Sequence, residues 1–534
     1  MSYFTGNEAF FVVPLDMSDG EMLKIRFYLD ILERSGVGKL IEEAQFKMED
    51  RGRRSHNPYR LFAAILYCFA MKRGSLRDIE EMCRYDLRTR FLMNQEEPSH
   101  KTVSEFINGV ILPNAEAIFT MITSRIIEEF SLDISDHYLD GTKIEANANK
   151  YKFVWKPGKK KENLLKAVEE TLRKMGKHEE GQTITSRCFY GLINEYAGEN
   201  SIDPAGLPSG RGHRLSPGQK LLKTALKQLE KLLEYEETEK ICGPDRNSYY
   251  KTDRDATAMA LKTDYYSGHG SNLHAAYNVQ FLVSAGFIMY YGVFHDRTDY
   301  NTMIPLLEGY HRCYGYYPEN LCADSGYGIY ANYRFLKEKG IGNYVKHLGW
   351  NGEASGKRPQ FFFFDTGRER VLCLNGKEGE QVPFDSSVHQ KRKGGRRFRF
   401  RGCLSCPYIY KCKEKVKEKD TDTREAELNV DYEILKEEAR KRLLSLKGIE
   451  IRVNRSIQAE GSFGQLKQNL QYIRLRRRGM RKVSCEIMME AMAVNIRKAF
   501  SLYGKKDIRS HYWEADENTR EEEFPKPKKK AVTN

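Results

Sequence analysis

The segment ISDHYLDGTKIEA, residues 134–146, decides the fold of this chain. Apolar Ile134 and Tyr138 lead up to Asp140, and this pattern predicts a β-strand that ends at an aspartate. Strands usually exclude aspartate, and a half-buried carboxylate is costly unless something pairs with it. We therefore expect Asp140 to have a function that offsets the cost of its position.

The residues that follow predict an α/β domain around this strand. Residues 277–294 form two apolar runs separated by Ser-Ala-Gly, which is typical of a hairpin. A second strand is predicted to end at Asp324, between helices at 302–315 and 330–340. A short strand at 343–348 follows, and this β–α–β spacing implies parallel neighbours joined by a right-handed crossover.

Residues 1–130 predict a helical N-terminal domain. An apolar helix at 61–74 is expected to end at Gly74, and the next begins with Ser75 as its N-cap. Short helices with tight turns and basic ends are typical of a helix-turn-helix, whose helix from Lys101 to Asn108 would enter the DNA major groove. A plain helical bundle explains this segment equally well.

Two segments of different composition interrupt the α/β domain, which is expected to span residues 131–500. Residues 156–250 are rich in Lys, Glu and Leu and predict amphipathic helices. Residues 350–445 form a mixed, basic segment that contains a group of cysteines. The tail at 501–534 is charged and is predicted to be disordered.

Composition restricts the partners and the compartment. The net charge of +14 favours a polyanion, with nucleic acid before an anionic membrane surface. No run of about 18 apolar residues exists, and the first residues lack the regions of a signal peptide, so no membrane span is expected. The thin spread of cysteines favours a reducing cytoplasm over a secreted disulfide scaffold.

Three carboxylates are placed where a metal site is expected. Asp140 and Asp324 end predicted strands, and Glu460 lies in a helical zone, seven residues before Lys467 and thus on the same helix face. Singly, Asp324 would be a turn former and Glu460 a solvated residue. Together they form an oxygen-donor set that suits Mg²⁺ or Mn²⁺, and two such ions clamp the oxygens of a phosphodiester. A metal would then offset the buried charge of Asp140.

At these motifs the chain resembles the DDE transposases of bacterial insertion sequences, whose catalytic domain is ribonuclease H-like. The similar segments follow the family's order over most of the chain: LDGTKIEANANKYKFVWK, AAYNVQF, CADSGYG, AEGSFGQLKQN, RLRRRGMRKV and NIRKAF. The N-terminal SLRDIEEMCRYDLRTRFL also resembles the family's helix-turn-helix region. Each motif alone is moderately specific, and their joint order is a strong indication.

The resemblance implies a DNA transposase. Asp140, Asp324 and Glu460 would bind two Mg²⁺ (or Mn²⁺) ions, and Lys467 would contact transposon-end DNA. Water would cleave the element end and the freed 3′-hydroxyl would join target DNA. The partners would be the terminal inverted repeats and target DNA, held by a homo-oligomer, a dimer on paired ends. A metal-dependent nuclease without strand transfer and a non-catalytic DNA-binding regulator are the alternatives.

One departure from the related families lies upstream of the glutamate. They place a tyrosine and an arginine seven and four residues before it, where this chain has Val453 and Ser456. Arg452 and Arg455 lie one residue off those positions.

Basic residues near these motifs are candidates for contacts with DNA phosphates. RLRRRGMRK, residues 474–482, would present a basic helical stripe if the glutamate helix continues that far. KRKGGRRFRFRG, residues 391–402, alternates arginine with phenylalanine, as a strand with one basic face would. The alternative for any charge run is a solvated surface. The predicted DNA-binding residues are Lys101, Lys143, Lys467, Arg474, Arg476, Arg477 and Arg478.

The cysteine group has the composition of a metal site. CLSCPYIYKC supplies Cys403, Cys406 and Cys412, and Cys373 precedes them by 30 residues. Four thiolates would make a tetrahedral structural Zn²⁺ site, although the spacing is looser than in a zinc ribbon. Reduced cysteines packed in a small subdomain are the alternative, and an iron–sulfur cluster is a lesser one.

Overall fold

The structure, a computed structural model, describes residues 20–46, 56–208, 214–244, 246–261, 273–351, 360–383, 394–414, 416 and 419–503. Its described helices are α1 (Gly20–Arg34), α2 (Val37–Phe46), α3 (Pro58–Ala70), α4 (Leu76–Tyr85), α5 (Leu87–Leu92), α6 (His100–Phe106), α7 (Ala115–Glu129), α8 (Lys159–Met175), α9 (Ser186–Glu199), α10 (Pro217–Cys242), α11 (Met303–Tyr314), α12 (Tyr330–Glu338), α13 (Ile409–Cys412), α14 (Val430–Leu443), α15 (Leu446–Arg455), α16 (Gly461–Gly464) and α17 (Met480–Leu502). Its described strands are β1 (Asp136–Glu145), β2 (Phe153–Trp155), β3 (Ser248–Tyr250), β4 (Thr257–Ala260), β5 (Leu273–Ser284), β6 (Phe287–Phe294), β7 (Asn320–Ala323), β8 (Gly342–Val345), β9 (Phe362–Asp365), β10 (Arg370–Cys373), β11 (Glu380–Val382), β12 (Arg396–Arg401) and β13 (Thr423–Leu428). The tail that is predicted to be disordered lies, after residue 503, outside the described residues.

The central sheet has six described strands and mixes parallel with antiparallel pairs. β1 lies antiparallel to β5 and parallel to β7, which pairs in parallel with β8, so the predicted parallel neighbours are confirmed. The other edge of β5 pairs first with β4 and then with β6. Ala285 and Gly286 turn β5 into β6 with φ angles of 50° and 75°, which confirms the predicted hairpin.

The prediction that β1 ends at Asp140 is wrong. Asp140 lies opposite Phe281 of β5, and the pairing continues to Glu145. β7 pairs with β1 only as far as Leu139, whereas β5 pairs with β1 as far as Glu145. After Leu139, β1 therefore remains paired with β5 but no longer with β7. Asp140 therefore lies in the middle of a strand, at the point where the parallel neighbour ends.

The N-terminal helices α1 to α7 share one hydrophobic core with the central sheet. α17 joins the two parts, because it is buried on nearly all sides and packs against β6, α3 and α7. The predicted N-cap is confirmed, since Oγ of Ser75 accepts a 3.1 Å hydrogen bond from the backbone N of Asp78. The predicted end of the preceding helix at Gly74 is wrong: α3 ends at Ala70, and Lys72 follows with a φ of 66°.

One helical stretch in the described part of the chain, His100–Glu129, is long and apolar enough to cross a membrane by length and composition alone. It contains α6, α7 and the irregular turns between them. Ile118, Phe119, Ile122 and Ile126 of this stretch are buried in the core shared with the sheet. The apolar character of the stretch is therefore accounted for by packing inside the protein.

The helical insertion, α8 to α10, has a hydrophobic core of its own. Phe189, Ile193 and Leu222 are fully buried within it, and their neighbours come from the same three helices. β2 and β3 lead into and out of the insertion and pair with each other antiparallel. The insertion is thus a separate packing unit attached through a two-stranded stem.

The second insertion contains two small sheets, β9–β10 and β11–β12–β13. Phe398 and Phe400 of β12 are buried, as the alternating pattern predicted. The arginines on its other face do not stand alone, because Arg397 and Arg399 approach the carboxylate of Glu425 to 2.5 and 2.7 Å. Part of the predicted basic face is therefore neutralised by the neighbouring strand.

The glutamate segment, residues 446–469, is one helical stretch that includes two π turns, Ser456–Glu460 and Gln465–Asn469. A π turn closes its hydrogen bonds over five residues instead of four. The regular spacing assumed between Glu460 and Lys467 is therefore wrong, because both residues lie in widened turns.

Candidate active site

Asp140 and Asp324 lie side by side on neighbouring parallel strands. The last residue pair between β1 and β7 is Leu139 with Ala323. Asp140 directly follows Leu139, and Asp324 directly follows Ala323. Both aspartates line one cleft of about 550 Å³. Asp324 also has the turn-forming role considered from sequence, because its Oδ1 accepts a 2.7 Å hydrogen bond from the backbone N of Gly326.

Gly141 leaves room for a polar network beneath the two aspartates. A Cβ at this position would collide with the side-chain amide of Gln280, so the glycine after Asp140 is required by close packing. Gln280 donates a 2.8 Å hydrogen bond to Asp299, whose carboxylate also accepts from Asn278. Asp299 and Asn278 line the same cleft as the aspartates. Neither residue could be identified from the sequence, because no spacing pattern links them to Asp140.

Tyr327 is part of this support and not a nucleophile. Its side chain is fully buried, and its hydroxyl donates a hydrogen bond to Oε1 of Gln280. Burial raises its pKa far above the usual range, with the charges of Asp299, Asp140 and Asp324 adding to the shift. Tyr327 therefore packs beneath the site and hydrogen-bonds to its polar network.

Glu460 is held near Asp140 by packing of the glutamate segment on the sheet. Phe463 stacks on Phe281 with ring centres 4.7 Å apart and planes 7° from parallel. Phe281 is the residue opposite Asp140 in β5. On the other side of the glutamate, Oε1 of Gln458 accepts a 2.7 Å hydrogen bond from the backbone N of Gly286. These two contacts fix the π turn that carries Glu460.

Arg455 connects two of the three carboxylates. Its guanidinium lies 3.8 Å from Oδ1 of Asp140 and 3.7 Å from Oε1 of Glu460. Arg455 precedes Glu460 by five residues, and residues five apart meet across a π turn. The widened turn therefore lets Arg455 reach Glu460 from five residues earlier in the sequence.

The charge on Asp140 is only partly compensated. Burial raises the pKa of Asp140 to about 6, and the nearby Asp324 and Glu460 add to the rise. Arg455 and the backbone N–H of Gly141 oppose it. The side chain of Asp140 is 20% exposed whereas that of Glu460 is 62% exposed, so the cost of ionisation falls on the strand residue.

The chemical type of the donor atoms suits a hard divalent cation. Carboxylate and amide oxygens surround the cleft, and an added positive charge would relieve the ionisation cost of Asp140. Within the described ranges, however, no three His, Cys, Asp or Glu side chains stand close enough together to hold an ion. A bound metal would therefore have to draw the three carboxylates closer together.

Lys467 reaches β1 rather than solvent. Its Nζ donates hydrogen bonds to Oγ1 of Thr142 at 2.5 Å and to the carbonyl of Lys143 at 3.1 Å. Lys143 and Lys467 both line the cleft that contains Asp140. Lys101, by contrast, lies on α6 with its side chain 81% exposed and Glu105 at 3.9 Å.

The prediction of a basic helical stripe through Arg474, Arg477 and Arg478 is wrong. The helical stretch ends at Asn469, and the arginine segment, residues 474–478, runs beside the end of β1. The backbone N of Leu475 donates a 2.8 Å hydrogen bond to the carbonyl of Glu145, and a helix cannot make this contact.

Side chains anchor the arginine segment on both sides. Arg474 lies 3.6 Å from the carboxylate of Glu145. The backbone N–H groups of Arg476 and Arg477 each donate 2.9 Å hydrogen bonds to the two carboxylate oxygens of Glu486 on α17. Nε of Arg478 donates to the carbonyl of Asn147 at 2.7 Å.

The four cysteines of the predicted metal group come together. Cys373, Cys403, Cys406 and Cys412 line one small cavity of about 30 Å³, with Phe362 and Phe400 beside them. All four are free thiols, and burial raises the pKa of Cys403 and Cys412. Their grouping, predicted from spacing, is confirmed. Their coordination of a metal stays a prediction, since no described group of ligands stands at coordinating distance.

Two segments of the chain match transposase family models. Residues 372–500 match the Transposase DDE domain and residues 28–109 match the Transposase domain (DUF772). The chain therefore contains a transposase DDE domain in the first of these segments and a second transposase domain in the other. The first match includes Glu460 and the four cysteines, the second covers α2 to α6, and Asp140 and Asp324 lie outside both. No curated protein and no solved structure matches the chain.

Proposed function

We propose that this protein cleaves the ends of a mobile DNA element and joins the freed 3′-hydroxyls to target DNA. The observation that carries the proposal is the placement of Asp140 beside Asp324, with Glu460 linked to Asp140 through Arg455. The mixed sheet around them supports a ribonuclease H-like catalytic domain. The match to the Transposase DDE domain supports phosphoryl transfer as the chemistry.

Asp140, Asp324 and Glu460 would hold two Mg²⁺ (or Mn²⁺) ions. When bound, such ions neutralise the phosphodiester and assist both the attacking and the leaving oxygen. Arg455 favours the ionised form of Asp140, which is the form that binds a cation. Lys467 and Lys143 lie along the same cleft and would contact the DNA backbone next to the scissile phosphate.

The N-terminal helices would read the element ends. α4 and α6 pack against each other with the short α5 between them, an order that fits the proposed helix-turn-helix. The N-terminal half of α6 carries Lys101 on its exposed face. We propose that this face enters the major groove, and that two copies of the chain act on paired ends in a reducing cytoplasm.

The cysteine group would hold one structural Zn²⁺. Support comes from the four thiols that line one cavity, because four cysteine thiolates are a ligand set of structural Zn²⁺ sites. Because burial raises the pKa of Cys403 and Cys412, these thiols stay protonated until a metal displaces the protons. The site would stabilise the second insertion.

The test is a joining assay on the protein's own flanking DNA. Labelled duplexes from both sides of the coding region are incubated with the purified protein, Mg²⁺ and a supercoiled target plasmid. Label joined to the plasmid supports the proposal. Cleavage without joining supports the nuclease, and binding without cleavage supports the regulator. Asp140→Asn should remove both products, whereas Asp203→Asn, an exposed aspartate of the helical insertion, should remove neither.

A further inference from the structure

A second cleft, strongly basic, lies where the N-terminal helices meet the arginine segment. It measures about 490 Å³. Its charged lining residues are all cationic, and none of the described residues that line it is acidic. Those cations are Arg77, Arg476, Arg477, Arg478 and Lys482. We call this surface the interdomain basic cleft.

Both parts of the protein contribute to this cleft. Arg77 belongs to the first turn of α4, and Ser104 and Asn108 come from the stretch that begins with α6. Asn147 follows β1 of the central sheet, and Lys482 belongs to α17. A polyanion bound here would contact the proposed DNA-reading helices and the catalytic sheet at the same time.

The cationic wall of the cleft is rigid. Glu486 holds the backbone of Arg476 and Arg477, and Nδ2 of Asn147 donates a 2.8 Å hydrogen bond to the carbonyl of Arg476. Nη1 of Arg476 would lie 2.5 Å from a Cβ placed on Gly74, so the wall packs directly on the start of α4. A backbone that is fixed in advance needs less ordering when its side chains bind a phosphate.

The cleft lies within reach of the acidic site along β1. Asn147 of the cleft follows Asp140 by seven residues, and an extended chain spans about 3.3 Å per residue, so the Cα atoms of these two residues are at most about 23 Å apart. Phosphates on one strand of B-DNA are spaced by about 3.4 Å along the helix axis. The distance therefore corresponds to about seven base pairs.

We propose that the interdomain basic cleft binds the backbone of the same duplex that the acidic site cuts, no more than about seven base pairs from the scissile phosphate. The proposal rests on the proposed function, because it presumes a DNA substrate. It adds a second grip on the DNA that sets the distance between the sequence read by α6 and the bond that is cut. Neutral polar groups of Ser104, Asn108 and Asn147 would supplement the cations.

The experiment measures the salt dependence of duplex binding by the full chain. Arg77→Ala and Lys482→Ala remove exposed cations that α4 and α17 contribute to the cleft, and Arg187→Ala removes an exposed cation from the helical insertion as a control. Each cleft variant should lower the slope of log affinity against log salt by about one unit, and the control should not change it. Unchanged slopes in both cleft variants would overturn the proposal.

Uncharged phosphate analogues identify which DNA phosphate the cleft contacts. Methylphosphonate is placed at successive positions from the cleavage site, and binding is measured for wild type and Arg77→Ala. At one position within about seven base pairs of the cut, the phosphate that Arg77 contacts, the substitution should weaken wild type about tenfold but leave Arg77→Ala nearly unaffected. Equal losses in both proteins would contradict the proposed contact. Asp140→Asn should bind like wild type, so a failure of the cleft and a failure of catalysis are distinguishable.

Discussion

The guanidinium of Arg455 lies 3.8 Å from Oδ1 of Asp140, so this carboxylate, which is more buried than Glu460, has a cation beside it before any metal binds. The same guanidinium lies 3.7 Å from Oε1 of Glu460. Arg455 therefore holds the site together while the carboxylates are not at coordinating distance. A cation bound between the carboxylates would take over this role.

Arg455→Gln should shift the pH dependence of cleavage. Asp140 binds a cation when ionised, and its pKa is about 6 with Arg455 in place. Removal of the positive charge raises that pKa further, so the acid limb of the profile should move to higher pH by about one unit at limiting Mg²⁺. Arg455→Lys keeps the charge and should stay close to wild type. A limb that does not move in Arg455→Gln would show that the arginine does not act on Asp140.

Asp140→Asn should stabilise the fold while abolishing Mg²⁺-dependent cleavage. A carboxyl whose pKa is raised in the folded protein favours folding when protonated, and this stability is lost as the pH rises through about 6. At pH 8 the variant should gain on the order of 1–3 kcal/mol in unfolding free energy. Mg²⁺ should raise the stability of wild type and not of the variant. Equal stabilisation of both by Mg²⁺ would remove Asp140 from the metal site.

Purified protein should contain about one zinc per chain, bound by the four cysteines. Cys403→Ser should release it and destabilise the second insertion, because the binding energy of such a site is folding energy. Cys188→Ser, in the helical insertion, is the matched control and should retain the metal. Elemental analysis that finds no zinc in protein prepared without chelator would leave the group as packed thiols.

Glu490 on α17 should make the protein less stable as the pH rises. Burial raises the pKa of Glu490 to about 8, and the neighbouring Glu486 adds to the rise, whereas Arg476 opposes it. The folded state therefore holds a proton that the unfolded chain releases near its ordinary pKa, and stability falls by up to about 1.4 kcal/mol per pH unit between the two values. Glu490→Gln should flatten this slope in denaturant unfolding between pH 5 and 8. A slope equal to that of wild type would mean that Glu490 is ionised in the fold.

The helical insertion should be removable without unfolding the rest. Its core is its own, and the backbone N of Lys156 donates a 2.8 Å hydrogen bond to the carbonyl of Asn247 across the stem. Replacement of residues 157–246 by Asn-Gly should close this stem as a hairpin. The shortened chain should keep one cooperative thermal transition. Loss of that transition would show that the insertion stabilises the central sheet.

Local patterns in the sequence predicted the elements whose determinants are local. The N-cap at Ser75, the turn at Ala285 and Gly286 and the strand before Asp324 depend on neighbouring residues, and all three were found where predicted. The length of β1 could not be predicted, because β5, which lies more than a hundred residues later, determines how far the strand continues.

The π turns and the arginine segment also depend on distant contacts. An α-helical periodicity assumes four-residue hydrogen bonds, so it placed Lys467 on a regular face and extended the helix through Arg474. The arginine segment pairs with Glu145 of β1, and this pairing excludes a continued helix. More than three hundred positions separate the arginine segment from β1 in the sequence. The carboxylates were found from residue type and motif order, whereas Arg455 became visible once the turn geometry was known.

Asp140 lies far in the sequence from Arg455 and Glu460, and this separation has a consequence for synthesis. Asp140 leaves the ribosome 320 residues before Glu460, and at about 5–20 residues per second this interval lasts roughly 16–64 s. During that time β1 has neither Arg455 nor the segment that covers its end. The nascent chain therefore cannot assemble the three carboxylates of the acidic site until almost its whole length has emerged, and an interrupted translation product would lack that site.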